Sequence, residues 1–392
     1  MLNKKIILGV TGSISAYKSA ELIRLLLKNN INVQVVMTKS AREFIQPLTL
    51  QALSGHPVLE NMWNTSNGNG MEHINLSRNS DLLVISPASA NFIAKLAQGF
   101  ADDLLLNLCL ARNCKLVIAP SMNKEMWLNA ATQRNISLLK EDGVLFSGPE
   151  SGELACGETG VGRLINEELL LLDIKKGLSD QIFKDKKILI SAGATIEKID
   201  DARAITNLSS GKMGVNIAEI AYTMGADITL VHGRLEHTLP TGINCIYAPD
   251  HASMHKVINQ KAPEHDVFIS VAAISDYLPC NIINGKIKKD VDTINLEFKK
   301  SIDILAETKN KNKKLFCVGF SAESKDLIKN AQLKLSSKKI DMIVGNIINE
   351  SMGQDSTQLY IIDQKEVIHI PIKTKDKLAL DILKHIHTKL KG

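Results

Sequence analysis

Aromatic side chains are scarce in this sequence, at 4% of 392 residues. A surface that stacks on nucleic-acid bases needs such side chains, so their scarcity argues against one. The net charge is also small, at +5, and no basic run is interleaved with aromatic residues. The composition makes no case for a nucleic-acid partner and leaves a mild preference for anionic ligands.

Cysteines are few as well, and their spacing lacks the pairs that hold zinc. No two of them form a CxxC pair, and none has a nearby histidine at ligand spacing, which argues against a zinc site. The six cysteines are Cys109, Cys114, Cys156, Cys245, Cys280 and Cys317.

Long hydrophobic runs are also missing. The opening segment, MLNKKIILGV, contains an apolar run that a glycine interrupts too early for a signal peptide. No later run is long enough to span a bilayer. We expect a cytoplasmic protein with reduced thiols.

Apolar strands alternate with helical stretches along the whole chain. Two segments open in the same way, KKIILGV at 4–10 and KKILISA at 186–192. Strands that are apolar on both faces indicate parallel sheets covered by helices, and 392 residues exceed one typical core. We therefore predict two Rossmann-like three-layer α/β domains, 1–185 and 186–392. Further predicted elements are a helix over 16–28, strands over 32–37, 81–86, 115–120, 227–233, 266–273, 315–320 and 341–346, a hairpin around Gln364 and Lys365, and a last helix over 375–390.

Polar segments follow the predicted strands of the first half. GVTGSISAYK (9–18) places N–H groups and hydroxyls at a helix N-terminus, which suits a phosphate, although such turns are common. SPASAN (86–91) and APSMNKEMW (119–127) follow two other strands at the carboxyl edge, where open α/β sheets bind ligands. MEHINLS puts His73 between apolar residues, where a single histidine is more often packed or exposed than catalytic.

The segment SGELACGETGVGRL (151–164) carries Cys156 among four glycines. This glycine density predicts a mobile surface loop. By itself, the cysteine is best explained as an incidental residue in a linker.

Taken together and in this order, GSISAYK, HINL, PASAN, PSMN and ACGxxGxGR resemble the flavoprotein cysteine decarboxylases that act on 4'-phosphopantothenoylcysteine. The resemblance covers nearly all of residues 1–175 and implies that His73, Asn123 and Cys156 are catalytic. Serines at positions 13 and 15 and Leu164 are small departures from the family pattern. The residues implied to bind FMN are Gly12, Ser13, Ile14, Ser15, Ser86, Ala88, Ser89 and Asn91.

The family's chemistry gives each catalytic residue a role. FMN oxidises the substrate thiol to a thioaldehyde, which acts as an electron sink for loss of CO₂. The resemblance implies that His73 is a base near the flavin and that Asn123 holds the substrate carboxylate. It also implies that Cys156 protonates the enethiolate that remains, on a loop that shields it from water.

The second half contains its own polar segments after strands. NLSSGKMG (207–214) leads into a helix and suggests a phosphate site, but the upstream glycine of a Walker A loop is absent. AAISDY leaves Asp276 at the carboxyl edge of the sheet. GKIKK (285–289) clusters lysines, for which a solvated turn is the ordinary explanation.

NxSSGKMG, AxxDY, KIKK and VGFxAE together resemble the CTP-using phosphopantothenate–cysteine ligase that is fused to this decarboxylase in bacterial coenzyme A biosynthesis. The resemblance covers roughly residues 187–392. It implies that Asn207 serves an acyl-cytidylate intermediate, and that Asp276 and Lys286 serve the nucleotide and its Mg²⁺. The residues implied to bind CTP are Ala272, Asp276, Lys286, Ser301, Ile302, Asp303, Ile304, Phe320, Lys334 and Lys338.

Two departures from the ligase pattern concern this nucleotide site. Relatives carry N-P-D-I where this chain has Ser301-Ile302-Asp303-Ile304, and A-N-D where it has Gly345-Asn346-Ile347. The first keeps the aspartate and the last isoleucine. Its consequence for the triphosphate and base contacts of that loop is left open by the sequence.

The implied substrates are 4'-phosphopantothenate, cysteine and CTP, and the ligase product is the decarboxylase substrate. The resemblance also implies decarboxylase trimers and ligase dimers. Two alternatives are a decarboxylase of another C-terminal cysteine, such as that of a peptide, and a flavin-binding regulatory protein without catalysis. A regulatory relative would be expected to lose the histidine, asparagine or cysteine, and all three are present here.

Overall fold

The computed structural model of this chain describes residues 4–61, 76–155, 157–240, 242–288, 293–347 and 353–391. The chain divides into two units, Met1–Asp180 and Gln181–Gly392. The division lies in the polar segment just before the second opening strand, and five residues before the boundary we predicted at 185. Both units are α/β, with helices packed on mostly parallel sheets, so the predicted fold class is confirmed.

The first unit has a parallel five-stranded sheet in the order β2-β1-β3-β4-β5, and β6 pairs antiparallel with β7 as a separate hairpin. Its strands are β1 Lys4–Val10, β2 Ile31–Met37, β3 Leu82–Ala88, β4 Lys115–Pro120, β5 Leu145–Phe146, β6 Glu150–Glu153 and β7 Thr159–Arg163. Its α-helices are α1 Lys18–Lys28, α2 Pro47–Ser54, α3 Ala90–Ala97, α4 Leu104–Ala111, α5 Lys124–Leu128, α6 Ala130–Glu141 and α7 Glu167–Leu178.

Alternating residues of β1 explain the three layers of this unit. Ile6 and Leu8 pack into one core with α1 and α7, whereas Ile7 packs into another with α3, α4 and α6. A strand that buries both faces must be covered on both sides, so helices flank the sheet. One element differs from the prediction, because a 3₁₀ turn over Ile14–Tyr17 precedes α1.

The second unit has an eight-stranded sheet in the order β12-β11-β8-β13-β16-β17-β18-β19. Its last two strands are antiparallel and form the predicted hairpin. Its strands are β8 Lys187–Ala192, β9 Ile196–Lys198, β10 Ala204–Thr206, β11 Asp227–His232, β12 Asn244–Tyr247, β13 Val267–Ser270, β14 Tyr277–Pro279, β15 Phe298–Lys300, β16 Phe316–Glu323, β17 Met342–Ile347, β18 Ser356–Ile362 and β19 Val367–Thr374. Its α-helices are α8 Lys212–Thr223, α9 His251–Lys261, α10 Ile304–Lys311, α11 Leu327–Lys338 and α12 Lys375–Lys391.

Two short antiparallel ribbons, β9–β10 and β14–β15, stand apart from the main sheet. The strand predicted over 266–273 ends at Ser270, so the last three residues of the predicted strand lie in the loop that follows it. In the described part of the chain, no helix has the length and apolarity that crossing a membrane requires.

Candidate active sites

Three loops follow β1, β3 and β4 at the carboxyl edge of the first sheet, and hydrogen bonds connect them. The Thr11 hydroxyl donates to the Pro87 carbonyl at 2.8 Å and accepts from the Ser89 N–H at 2.9 Å. The Ser121 N–H donates to the Ala88 carbonyl at 3.0 Å. Since ligands of open α/β sheets bind at this edge, the joined loops are the candidate site of the first unit.

Three serine hydroxyls from two of these loops lie together. The Oγ atom of Ser121 is 3.0 Å from the Oγ atoms of both Ser13 and Ser15. The Ser15 N–H also donates to Ser13 Oγ at 3.3 Å. The sequence prediction includes Ser13 and Ser15 but omits Ser121, although its place directly after a predicted strand was an available signal.

These loops border a cavity of about 690 Å³. Of the residues predicted to bind FMN, those that line it are Gly12, Ser13, Ile14, Ser15 and Ser89. Ser86 and Ala88 are buried within β3, and Asn91 is exposed on α3; none of these three borders the cavity. The cavity also takes in Met122 and Met126, so its lining combines hydroxyl donors with apolar side chains.

Asn123 lines the same cavity, and both ends of its side-chain amide are held. Its Oδ1 accepts from the Glu125 N–H at 2.7 Å, which caps the start of α5. Its Nδ2 donates to Glu158 Oε2 at 3.2 Å. The oxygen is therefore fixed on the helix N-terminus, and the NH₂ group is directed toward a carboxylate.

Glu158 belongs to the β6–β7 hairpin, which carries the segment predicted to hold the catalytic cysteine. The hairpin turn is closed by hydrogen bonds from Leu154 N–H to the Glu158 carbonyl at 2.8 Å and from Gly157 N–H to the Leu154 carbonyl at 2.9 Å. At Gly162, with φ +141°, a Cβ would come within 2.3 Å of the Met122 carbonyl oxygen, so only glycine allows the hairpin this close to the Asn123 loop.

Two of the three predicted catalytic residues of this unit, His73 and Cys156, lie outside the described residues. The structure therefore gives a position for Asn123 alone. Asn123 lines the serine-lined cavity.

In the second unit, a cavity of about 230 Å³ lies at the carboxyl edge of the sheet, at the start of α8. Of the predicted nucleotide residues, Ala272 and Phe320 line it, together with residues 208–214. Gly211 is the cap that precedes α8, with φ +79°, and a Cβ there would meet Leu235 Cδ2 at 2.1 Å.

Two lysines missed by the sequence prediction also line this cavity. Lys212 forms an ion pair with Asp355. Burial lowers the pKa of Lys375, and the charge of Lys212 acts in the same direction. Because burial and the charge of Lys212 both disfavour the charged form of Lys375, an anion in the cavity would stabilise its ammonium group.

Asn207 lies against the same edge of the sheet. Its Nδ2 donates to the Ala273 carbonyl at 3.1 Å, so its side chain is held at the loop that contains Ala272. Its neighbour Thr206 donates from Oγ1 to the Thr195 carbonyl at 2.8 Å. These contacts fix the segment that leads from β10 into the start of α8.

A second group of predicted nucleotide residues lies on the loop before α10. Ser301 N–H donates to the Asp276 carbonyl at 2.9 Å, which brings two predicted positions together. Asp303 caps α10 and pairs with Lys338 at 2.9 Å. Burial pushes the pKa of Asp303 upward, but hydrogen bonds from the Ala306 N–H and Lys338 outweigh it and hold that pKa below its usual value.

The remaining residues predicted to bind the nucleotide do not line the 230 Å³ cavity. Lys334 pairs with Glu323 at 2.7 Å, and this contact, with a hydrogen bond from Ser321, outweighs burial and lowers the pKa of Glu323. Lys286 and Asp276 are exposed, whereas the Ile304 side chain is buried in the core and is withdrawn from any ligand. Of the described residues, those that do not line the 230 Å³ cavity include Asp276, Lys286, Ser301, Ile302, Asp303, Ile304, Lys334 and Lys338.

Comparison with known proteins gives both units a family. Residues 1–177 match the model of the flavoprotein family, and residues 183–390 match that of the DNA/pantothenate metabolism flavoprotein C-terminal domain. A coenzyme A biosynthesis bifunctional protein CoaBC of Vibrio cholerae is 40% identical, over 100% of this chain and 99% of its own length. The chain belongs to the CoaBC family.

Other CoaBC proteins are similar along their whole length. The CoaBC protein of Bacillus subtilis is 36% identical over 98% of this chain and 97% of its own length. The CoaBC protein of Escherichia coli is 35% identical over 99% of this chain and 98% of its own length. Among solved structures, the C-terminal domain of a CoaBC protein is 32% identical and covers 54% of this chain and 99% of its own, with a TM-score of 0.48. The FMN-dependent cysteine decarboxylase SpaF is 34% identical and covers 45% and 95%, with a TM-score of 0.40.

Proposed function

We propose that this chain catalyses two consecutive steps of coenzyme A biosynthesis. The second unit joins cysteine to 4'-phosphopantothenate through an acyl-cytidylate, and the first unit decarboxylates the 4'-phosphopantothenoylcysteine to 4'-phosphopantetheine. The observation that carries this proposal is the 40% identity to a CoaBC protein across both units rather than across one. The enzyme is cytoplasmic, and it assembles through decarboxylase trimers and ligase dimers.

In the first unit, the hydroxyls of Ser13, Ser15 and Ser121 supply donors that fit the phosphate and polar ring atoms of FMN. Met122 and Met126 supply the apolar surface that the flavin ring needs. FMN would supply the two-electron oxidation of the substrate thiol that precedes loss of CO₂ and the two-electron reduction that follows it.

Asn123 binds the substrate carboxylate. Its Oδ1 is held by the Glu125 N–H, so its NH₂ group is presented to an acceptor rather than its oxygen. In the structure this NH₂ group already donates to the carboxylate of Glu158, which supports a role for it in binding the substrate carboxylate. His73 acts as a base toward the substrate thiol, and Cys156 donates the proton that replaces CO₂.

In the second unit, cations surround the nucleotide. Lys212 at the start of α8 and Lys375 at the start of α12 both line the cavity. Together with Lys286, they counter the negative charge of a triphosphate. Phe320 would border the cytosine, and Asp276 would hold Mg²⁺. The ion would supply charge stabilisation for the pyrophosphate that leaves when the 4'-phosphopantothenate carboxylate attacks the α-phosphorus of CTP. Asn207 then serves the conversion of the acyl-cytidylate.

Each half is tested separately with the purified chain. Supplied with 4'-phosphopantothenoylcysteine and no CTP, it should release CO₂ and form 4'-phosphopantetheine. Supplied with 4'-phosphopantothenate, cysteine, CTP and Mg²⁺, it should form CMP and pyrophosphate. Release of CO₂ from a peptide with C-terminal cysteine, and none from 4'-phosphopantothenoylcysteine, would instead favour a peptide decarboxylase. Flavin binding with neither activity would favour the regulatory alternative.

A further inference from the structure

The 301–303 loop, Ser301-Ile302-Asp303, is held at each end by contacts to other elements. Ser301 donates from its N–H to the Asp276 carbonyl and from Oγ to the Ser275 carbonyl at 2.8 Å. At the other end, Asp303 pairs with Lys338 on α11. These contacts leave the middle residue, Ile302, as the point where the loop could still change conformation.

Ile302 is held by a histidine from another helix. Nε2 of His251 lies 2.8 Å from the Ile302 carbonyl oxygen. Because a carbonyl oxygen only accepts, Nε2 carries a hydrogen and donates it. His251 is the first residue of α9, and only 4% of it is exposed. The backbone N–H of His251 donates to Glu197 Oε1 at 3.0 Å. This bond fixes the backbone from which the imidazole extends.

Apart from its carbonyl, the side chain and the N–H of Ile302 restrain its position little. Its side chain is 54% exposed, so packing contributes little to its position. Within the described residues, no hydrogen bond from its N–H is observed. The bond from His251 is therefore the contact that fixes the peptide between Ile302 and Asp303.

We infer that His251 is a positioning residue for CTP, because it holds the 301–303 loop in the conformation that receives the nucleotide. The inference rests on the proposed ligase function and extends it to a residue outside the predicted site. It also explains how this loop keeps a fixed shape without the proline that relatives have at position 302. A proline restricts the φ of its own residue covalently, whereas here a hydrogen bond from a buried ring holds the carbonyl of that residue.

The test compares two substitutions of His251 in the full chain. His251→Phe keeps an aromatic ring of similar size and removes the donor, whereas His251→Gln keeps an N–H donor at a similar reach. Loss of one hydrogen bond predicts that His251→Phe raises the KM and the calorimetric Kd for CTP about 5-fold, with kcat changed less than about 2-fold. His251→Gln should stay within about 2-fold of the wild type.

A proline at the held position provides a second, independent test. Adding Ile302→Pro to His251→Phe removes no observed hydrogen bond and restricts φ directly, so it should restore most of the affinity for CTP. His265→Phe is the matched control. This half-buried histidine also hydrogen-bonds a neighbouring element, at Thr229, but lies before β13 at the opposite edge of the sheet. It should leave the affinity for CTP unchanged.

The outcomes separate this inference from the proposed function. Unchanged affinity for CTP in a folded His251→Phe variant, with normal ligation by the wild type, overturns the role of His251 alone. If His251→Phe and His251→Gln lose the same affinity for CTP and have equally lowered Tm values, the role of His251 is also overturned, because His251 would then be merely structural. A wild-type chain that binds no CTP overturns the ligase proposal as well. Decarboxylation of supplied 4'-phosphopantothenoylcysteine should be the same in all variants.

Discussion

Asn123 donates a hydrogen bond from Nδ2 to Glu158 Oε2 over 3.2 Å, and this bond joins the loop after β4 to the β6–β7 hairpin. Asn123→Asp would keep the cap of α5 and place a carboxylate where the substrate carboxylate binds. Loss of the donor together with charge repulsion should lower the rate of CO₂ release at least about 100-fold. Initial rates with supplied 4'-phosphopantothenoylcysteine measure this.

Glu158→Gln is the companion change for Asn123→Asp. Glutamine still offers an oxygen to the Asn123 NH₂ group, so the decarboxylation rate should fall less than about 5-fold. A rate for Asn123→Asp near that of the wild type would show that Asn123 does not bind the substrate carboxylate.

Ser121 is predicted to contribute to FMN binding. Ser121→Ala removes the hydroxyl that contacts Ser13 and Ser15, so the Kd for FMN should rise about 3- to 10-fold. Fluorescence titration of the flavin-free protein measures it. Ser80→Ala is a suitable control, since Ser80 is also buried but donates to the Leu76 carbonyl away from the cavity. Equal affinity for FMN in the two variants would show that Ser121 does not contribute to the flavin site.

Most strands of both sheets could be predicted because they bury both faces and so form apolar runs. β4, for example, occupies the whole of the predicted segment 115–120. The 3₁₀ turn over Ile14–Tyr17 leads directly into α1, and the helix predicted over 16–28 began within that turn. Ser86 and Ala88 were expected at a ligand site, but β3 continues through them and buries them.

Candidate site residues could be predicted in the loops that follow predicted strands. Asn123 and Ser13 lie in such loops, and the structure places both at the first cavity. The His251–Ile302 bond joins residues 51 positions apart, and no local pattern indicates such a contact. The same holds for Lys375, which reaches the second cavity from the start of the last helix.

Cys156→Ser should separate oxidation from protonation in the first unit. A serine hydroxyl is a far weaker acid than a thiol, whose reference pKa is about 8.5, so protonation of the enethiolate should fail after CO₂ has left. The flavin should stay reduced, and the product should lack two hydrogens relative to 4'-phosphopantetheine. His73→Asn should instead leave the flavin oxidised. Normal 4'-phosphopantetheine from Cys156→Ser would exclude this cysteine as the proton donor.

Two substitutions should separate the stages of ligation in the second unit. Lys286→Gln removes a cation proposed to face the triphosphate, so no acyl-cytidylate should form. Asn207→Asp leaves activation possible and should impair the next step, so the acyl-cytidylate should accumulate. Rapid-quench mass spectrometry measures the intermediate. Ligation by both variants at the wild-type rate would show that the catalytic residues of this unit lie elsewhere.

A single incubation tests the central claim most directly. The purified chain, with FMN, receives 4'-phosphopantothenate, cysteine, CTP and Mg²⁺, and the products are identified by mass. The account predicts 4'-phosphopantetheine, with CMP, pyrophosphate and CO₂ formed in equal amounts and the bound flavin returned to its oxidised state. Recovery of 4'-phosphopantothenate unchanged, with no CMP formed, would contradict it.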